Sequence, residues 1–379
     1  MKLSLALTLS SLSSAMSASW TNVYPNAASF LFESTLDEDA NTFHAVGGQN
    51  GVGAVLMSSF DSGQTFNTTT VGVTGMALAV ASDSPNVLVA GVANTVYSHD
   101  DGSTFAPSKK SKGNVVVSQN AVSDSGNFYL VGALLQDANG GVSRSTDNGE
   151  TFEAFHVDEL KTAARYGAFK GDTWYLTAGQ WPQTQDSASY ENRFSKRLHR
   201  SGKFDLSSSA SDGDDDATPT DWMAQIVKTT DGGKTWTTVF EDEGNFYLNG
   251  IDCFDENTCV AVGESDADSP SPGSRIFTTV DGGATWNLSL LVSDPQESLM
   301  NVVFRSSDEI WAVGGNVSNR KFTGRVWSST NWKDDQPEWE DVGGVDNAWF
   351  VDVSPSKSGE DAWALAMTLQ STSSIFYYG

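Results

Sequence analysis

One short pattern, Ser/Thr-x-Asp-x-Gly-x-Thr-Phe/Trp, recurs along the chain and restricts its possible folds more than any other feature. Five full copies and one degenerate copy begin at Ser59, Ser98, Ser145, Thr229, Thr279 and Ser329. In the degenerate copy Asn331 replaces the aspartate, and the aromatic residue, Trp339, comes late. Repetition at a period of about 40 to 50 residues indicates a repeat architecture.

Each copy, called a box below, has the composition of a tight turn between two strands. Asp and Ser/Thr side chains hydrogen-bond to nearby backbone N–H groups, and Gly supplies the positive φ that such turns need. The closing Thr and aromatic residue suit the start of a half-buried strand. Each box therefore predicts a hairpin turn whose aromatic residue enters a core.

A second repeat lies ahead of the boxes. Seven short strand-like runs end in a small residue, at Gly47, Gly91, Gly132, Gly179, Gly263, Gly314 and Ala366. Small residues at a fixed point suggest that neighbouring sheets approach closely there. Another apolar run lies upstream of each, for example at residues 76–80. Each unit thus holds about four strands, as does one blade of a β-propeller.

The sequences at the two ends of the chain explain why there are seven small-residue strands but only six boxes. Residues 20–23 resemble the strand that follows a box, and residues 374–378 resemble the strand that precedes one. Shared pairing of this kind closes the ring and removes exposed sheet edges. We therefore predict an all-β fold, a seven-bladed β-propeller closed by pairing of its N- and C-terminal strands.

The domain organisation follows from what lies outside the repeats. Residues 1–18 have the charged start, apolar run and small residues of a signal peptide, which leaves residues 19–379 as one propeller. The interval between the third and fourth boxes is longer than the others, and we predict an insertion at residues 180–221 within blade 4. This segment is rich in Ser and Asp, contains basic residues including Lys196 and Arg197, and lacks apolar periodicity. We expect a disordered loop that proteases could nick.

Two further features fit a secreted protein. Cys253 and Cys259 flank a short turn and could form a disulfide across a hairpin, the alternative being two buried thiols. Glycosylation sequons begin at Asn67, Asn287 and Asn316. We therefore expect a secreted glycoprotein.

Composition excludes several partners. The net charge is −26, from 22 Lys and Arg against 48 Asp and Glu, so nucleic acid and anionic membranes are poor partners, although a cationic partner could be favoured. No later run is long enough to span a membrane.

The box aspartates lie one per blade and cannot converge on a metal, and the acidic run at residues 212–216 lacks the ligand spacing of a calcium loop. We expect a monomer without metal or cofactor.

The boxes resemble the Asp-box, or bacterial neuraminidase, repeats of the sialidase superfamily. Residues 250–263 and the box text at 278–286 are most similar to the photosystem II stability and assembly factor family. The resemblance implies a propeller whose boxes lie opposite its ligand site. Sialidases hold the substrate carboxylate with three arginines, and the first of these normally lies near the N-terminus. The first arginine of this chain is Arg144, so the first two predicted blades contain none. The sequence therefore argues against a sialidase.

Two functions remain open at this point. The favoured one is a non-catalytic scaffold that binds a protein or a glycan on the face opposite the boxes, and the alternative is a glycoside hydrolase with an unidentified carboxylate pair in the central pocket. No catalytic residue is assigned, and the four histidines suit structural roles. The candidate ligand-binding residues, which could instead fill blade interiors, are Arg165, Tyr166, Trp181, Trp222, Tyr247, Asn249, Asn301 and Trp349.

Overall fold

The computed structural model describes residues 19–37, 41–92, 94–109, 115–134, 137–180, 222–318, 321–356, 358–370 and 372–379. The predicted signal peptide lies outside these residues. So does the predicted insertion from Trp181 onward, with the proposed nicking site at Lys196 and Arg197. These assignments stay predictions.

The described residues form β-strands and no helix. None of them therefore belongs to a helix long and apolar enough to cross a membrane. The strands are β1 (Trp20–Ala28), β2 (Phe30–Asp37), β3 (Thr42–Gln49), β4 (Gly53–Ser59), β5 (Asn67–Thr70), β6 (Ala77–Asp83), β7 (Asn86–Gly91), β8 (Thr95–Ser98), β9 (Ala106–Pro107), β10 (Val115–Asp124), β11 (Asn127–Leu134), β12 (Asp137–Ser145), β13 (Glu153–His156), β14 (Ala164–Lys170), β15 (Thr173–Gln180), β16 (Met223–Thr229), β17 (Thr237–Glu243), β18 (Tyr247–Cys253), β19 (Cys259–Ser265), β20 (Gly273–Thr279), β21 (Asn287–Val292), β22 (Glu297–Phe304), β23 (Ile310–Ser318), β24 (Lys321–Ser329), β25 (Glu340–Asp341), β26 (Ala348–Pro355), β27 (Ala362–Thr368) and β28 (Ser373–Tyr378).

These strands make seven antiparallel four-stranded sheets, which confirms the predicted propeller. Blades 1 to 6 take their four strands in sequence order, from β2–β5 to β22–β25. The first strand of each blade contacts the first strand of the next, and β26 of blade 7 contacts β2 of blade 1. The seven first strands therefore surround a central channel, and each blade packs its faces against its two neighbours.

Blade 7 joins the two ends of the chain, as predicted. Its order is β1-β28-β27-β26, with Trp20 opposite Tyr378. The Trp20 ring lies 4.9 Å from the Phe350 ring and 6.0 Å from the Trp311 ring, measured between centroids. Main-chain pairing and an aromatic cluster thus hold the ring closed together.

The boxes form the predicted turns between the third and fourth strands. In the box of blade 5, Thr279 Oγ1 donates to Asp281 Oδ1 at 2.9 Å, and the Gly283 N–H donates to Thr279 Oγ1 at 2.9 Å. Thr285 donates from its N–H to Asp281 Oδ1 at 2.9 Å and from its hydroxyl to Oδ2 at 2.7 Å. The other four full boxes repeat these bonds, at Asp61, Asp100, Asp147 and Asp231.

In blades 1, 5 and 6 the small residue of the second strand is required for a different reason from the predicted one, because a Cβ at Gly47, Gly263 or Gly314 would meet a backbone oxygen of the same blade. Each first strand has a register shift where it pairs with the second, and in blade 1 this shift lies between Leu31 and Glu33. A Cβ at Gly47 would lie 1.8 Å from the Phe30 carbonyl oxygen of the same blade. The irregular first strand itself, rather than a neighbouring sheet, therefore excludes a side chain there. At Gly179 the neighbouring blade does come close, as predicted.

The predicted disulfide is present between Cys253 and Cys259. The two cysteines face each other where β18 and β19 begin to diverge into their hairpin turn, and both are buried. The disulfide therefore links the first two strands of blade 5 at the base of the turn that connects them.

Candidate functional site

The propeller has two chemically different faces. Because consecutive strands are antiparallel, the first-to-second-strand turns lie on the same face as the boxes, which we call the box face. The second-to-third-strand turns and the connections between blades lie on the other face. The connection from Gln180 to Met223, which holds the predicted insertion, belongs there, and we call it the insertion face.

Four of the predicted ligand residues come together on the insertion face, between blades 4 and 5. The Arg165 guanidinium lies 5.3 Å from the centre of the Tyr247 ring and 6.0 Å from that of Tyr166. The Trp222 ring stacks on Tyr247 with centroids 5.8 Å apart and an interplanar angle of 11°. The Tyr247 hydroxyl donates to Glu264 Oε1. We call these five residues the Tyr247 cluster.

The Tyr247 cluster is buried. Tyr247 is 2% exposed and Arg165, the most exposed member, 8%. Burial, and then the negative charge of Glu264, raise the pKa of Tyr247 well above its usual value, so the hydroxyl stays protonated. Sequence reasoning missed Glu264. In the sequence this glutamate is marked only by its position directly after Gly263. The strand pairing places it opposite Tyr247.

The remaining described candidates do not join this cluster. Asn249 donates from Nδ2 to the Leu299 carbonyl of the next blade at 2.9 Å. Asn301 donates from Nδ2 to Asp352 Oδ1, again in the next blade. Trp349 packs edge-on against Phe322 with ring centroids 5.9 Å apart. These three side chains join neighbouring elements, whereas Trp181 lies outside the described residues.

Carboxylates on the first strands also join blades. Glu33 accepts hydrogen bonds from the Val80 N–H at 2.8 Å and from Asn120 Nδ2 at 2.6 Å. Asp352 Oδ2 accepts from the Ser34 N–H at 2.6 Å. These strands are sheet edges that face the channel, so their N–H groups need partners from outside their own sheet. The carboxylates supply such partners across the blade boundaries.

Two carboxyl groups with a raised pKa have structural partners as well. Burial raises the pKa of Asp252, whose Oδ2 accepts the Phe304 N–H at 2.8 Å. Burial also raises the pKa of Glu297, which accepts hydrogen bonds from Trp327 Nε1 at 3.0 Å and Asn316 Nδ2 at 3.2 Å. In the part of the chain that the structure describes, no three His, Cys, Asp or Glu side chains are arranged to hold a metal ion.

A cavity of about 720 Å³ opens on the box face, at the channel mouth between blades 1, 2 and 3. Its walls are the last residues of three first strands, which end in Asp37, Asp83 and Asp124. Asp37 accepts the Ser84 N–H at 2.7 Å and Asp124 accepts the Gly171 N–H at 3.2 Å. The sequence signal that was missed is the hydroxyl residue close before each aspartate.

These observations define the class of the protein as a seven-bladed β-propeller with hydrogen-bonded box turns between third and fourth strands. No family model and no curated protein matches the sequence. Among solved structures, the chain is similar to YCF48, a photosystem II assembly factor, bound to D1 peptide. It is 13% identical to YCF48, with 95% of this chain and 96% of that chain covered and a TM-score of 0.57. The resemblance to that family is thus confirmed at the level of the fold.

Two glycoside hydrolases have the same fold in part of their length. The GH74 enzyme of Niastella koreensis is 16% identical, with 89% of this chain and 50% of that chain covered and a TM-score of 0.57. The GH74 xyloglucanase of Xanthomonas campestris is 13% identical, with 92% and 59% covered and a TM-score of 0.55. The chain therefore spans 50% and 59% of the length of these two enzymes, and the similarity concerns the fold alone.

Proposed function

We propose that this protein is a non-catalytic propeller that binds a protein partner on its insertion face. The observation that carries the proposal is the use of the buried first-strand carboxylates. Glu33 and Asp352 accept hydrogen bonds from neighbouring blades, and Glu297 accepts them from the second and third strands of its own blade. A hydrolase would need two carboxyl groups facing a substrate, whereas these groups are engaged in joining neighbouring blades or, for Glu297, the strands of one blade.

The state of the aromatic residues favours a protein over a glycan as the partner. Sugar binding typically uses the open face of an aromatic ring, but Trp222 is 6% exposed, Tyr247 2% and Trp349 3%. Trp222 and Tyr247 stack on each other instead. The YCF48 structure of similar fold was solved with a peptide. The Tyr247 cluster then acts as a rigid base beneath the contact surface, with Arg165 as its cationic member.

Screening the purified protein against a peptide display library and a glycan array tests this proposal. We expect enriched peptides whose binding falls at least about tenfold in Arg165→Gln and Trp222→Phe, because both changes disturb the buried base on which the contact surface rests. The matched control is Phe254→Ala, which removes an exposed ring on the box face. Binding of glycans alone, or peptide binding lost equally in the control, would contradict the proposal.

The hydrolase alternative is tested separately, with xyloglucan and a panel of chromogenic glycosides as substrates. The GH74 enzymes of similar fold make these the relevant substrates. We expect no turnover above that of heat-denatured protein. Turnover that disappears in Glu264→Gln or Glu297→Gln would replace the binding proposal with the hydrolase.

We also propose that the protein is secreted and carries glycans at Asn67 and Asn287. Both residues are exposed on outer strands, and the Cys253–Cys259 disulfide suits an oxidising compartment. Asn316, by contrast, is 7% exposed, and its Nδ2, the atom that would carry a glycan, donates to Asp294 Oδ2 at 2.9 Å. Mass spectrometry of the mature secreted protein before and after amidase treatment should show two modified asparagines and an N-terminus near residue 19.

A further inference from the structure

The outer strand of blade 5, β21, has an open edge on the wall of the propeller. It is the last strand of its sheet, and among the described strands it pairs with β20 alone. In an antiparallel ladder, the main-chain groups of alternate residues point away from the partner strand. The outward groups of β21 have no main-chain partner among the described residues. Such an edge is a template for a further strand.

Each of the other outer strands has a feature that hinders pairing. Strands β9 and β25 have two residues each, and β5 and β13 have four. Pro25 and two register shifts interrupt β1. Strand β17 ends in Glu241, Asp242 and Glu243. By contrast, β21 reads Asn-Leu-Ser-Leu-Leu-Val, six residues without charge or proline. Shortness, proline and charge protect an edge from pairing, and β21 lacks all three.

Two exposed leucines lie on one face of this strand. In the β20–β21 ladder, Leu288 is opposite Phe277, and Leu291 is opposite Arg275. Because Arg275 and Phe277 are two residues apart in β20, both leucines project to the same side of the sheet. This is the side of blade 4, since the Phe277 ring lies 4.9 Å from that of Phe240. The leucines are 52% and 39% exposed, so an apolar stripe accompanies the open edge.

Blade 6 supports the strand from its other face. Leu290 packs against the core between blades 5 and 6, and Trp339 of blade 6 donates from Nε1 to Ser289 Oγ at 3.0 Å. Asn287, proposed above to carry a glycan, directly precedes Leu288, so its side chain projects to this supported side, away from the leucines. The edge is therefore preorganised, and a partner does not have to order it.

The surroundings of the edge are acidic at its insertion-face end. Strands β17 and β21 are both fourth strands and run from the box face to the insertion face, so Glu241 and Glu243 lie at the same end as Asp294, which follows β21. Lys161 pairs with the two glutamates at 2.5 and 3.0 Å. A partner with a basic residue at this end complements these carboxylates. A second copy of the chain, with its net charge of −26, would be repelled.

We propose that β21 binds an extended segment of a protein partner, which pairs with the open edge and adds a strand to blade 5. The segment has apolar side chains at alternate positions, which cover Leu288 and Leu291, and a basic residue at the insertion-face end. Main-chain hydrogen bonds supply the affinity, and the leucines and carboxylates select the segment. This site lies on the outer wall, apart from the Tyr247 cluster, and does not depend on what the insertion face binds.

The test uses the full chain and a synthetic peptide, Lys-Val-Thr-Val-Thr-Val-Lys with blocked ends, in calorimetric titrations. The control peptide has the same sequence N-methylated throughout, which keeps the side chains and removes every main-chain donor. We expect the first peptide to bind and the methylated peptide to bind at least about tenfold more weakly, because strand addition depends on main-chain hydrogen bonds.

Variants of the protein locate the site. Leu288→Thr combined with Leu291→Thr keeps β-branched side chains in the strand but removes the apolar stripe, and it should weaken peptide binding about tenfold. Leu369→Thr is the matched control. It removes a leucine that is 37% exposed in the turn between β27 and β28, and it should change affinity less than about twofold.

Circular dichroism checks that each variant is folded. If the double variant does not fold, the comparison of the two peptides on the unmodified protein still decides. No binding of the first peptide, equal binding of the methylated peptide, or equal losses in the double variant and Leu369→Thr would overturn the proposal. Sedimentation velocity of the free protein should show a monomer. A dimer that the double variant loses would make a second copy the occupant of the edge and would overturn the proposal as well.

Discussion

At the scale of single residues, the aspartate of a full box differs from the asparagine of the degenerate one. Asp281 accepts three hydrogen bonds, and those from Thr285 and Thr279 lower its pKa to about 2 by stabilising the charged form. Asn331 Oδ1 accepts the Glu338 N–H at 2.9 Å and the Ser329 hydroxyl at 3.3 Å. The charged acceptor therefore fixes its turn more tightly than the neutral one.

This difference predicts unequal losses on truncation. Asp281→Ala should lower the urea midpoint of unfolding only modestly, because its donors lie at the surface and can bond to water instead. Asn331→Ala should cost about half as much or less. Urea denaturation at neutral pH measures both. Equal losses would mean that the carboxylate contributes nothing beyond its shape.

His44 predicts how stability depends on pH. Its pKa is about 6.5 when unfolded and about 4 in the folded protein, chiefly because of burial. The unfolded chain therefore takes up the proton first as pH falls, and stability decreases from about pH 6.5 down to about pH 4. We expect His44→Gln to remove about 2 to 3 kcal/mol of the loss between pH 7 and pH 4.5. Urea denaturation at several pH values measures the free energy of unfolding of the unmodified protein and of His44→Gln. The two proteins would show the same pH dependence if His44 were accessible to water.

The residue scale also shows why the candidate sites were only partly predictable. Arg165 and Tyr247 were selected from their place near blade entries and Trp222 from its place beside the predicted insertion, and the structure does bring them together. Their burial depends on side chains from separate blades, which no local pattern encodes. Asp83 was missed because an exposed aspartate in a turn has the same sequence signature whether or not a cavity lies beside it.

At the scale of elements, an irregular first strand determines which residue its neighbour can have. The register shift in β22 lies between Leu299 and Asn301, and a Cβ at Gly314 would lie 1.9 Å from the Ser298 carbonyl oxygen. The seven-fold pattern of small residues was visible in the sequence. Its cause was not, because a bulge depends on how two strands pair rather than on either strand alone.

Gly314→Ala should therefore be strongly destabilising. We expect a loss of about 3 kcal/mol or more in the free energy of unfolding, because backbone must move to admit the methyl group. Gly51→Ala is the control: it has φ of 76° and open space around it, so its cost of about 1 kcal/mol reflects backbone conformation alone. Thermal unfolding measures the loss of stability in both variants. Equal losses would contradict the backbone clash as the reason for the glycine at position 314.

At the scale of the whole molecule, the ring depends on the contact between the two ends of the chain. Counting repeats predicted this closure, since seven small-residue strands and six boxes leave one blade to be shared. The cavity could not be predicted in the same way. Its lining comes from β2, β6 and β10, and only the closed ring places these strand ends around one opening.

Trp20→Ala tests the closure. The ring contacts Trp311, Phe350 and Tyr378, so its loss should cost about 2 kcal/mol and open β1 from β28. Hydrogen exchange should quicken across β1, β28 and the neighbouring face of blade 6. Trp339→Ala, which removes a half-buried ring elsewhere, should quicken exchange only near its own box. Exchange confined to β1 in the first variant would show that the remaining ring does not need the contact.

The pairing of Trp20 with Tyr378 has a consequence for how the protein is made. A ribosome produces β1 among the first strands and β28 last, so β1 must wait for its partner throughout synthesis. Until then blade 7 cannot exist, and both outer blades of the growing arc expose faces that later become core. A cell that makes this protein must keep that unfinished arc from associating with other chains until the last few residues are free to dock.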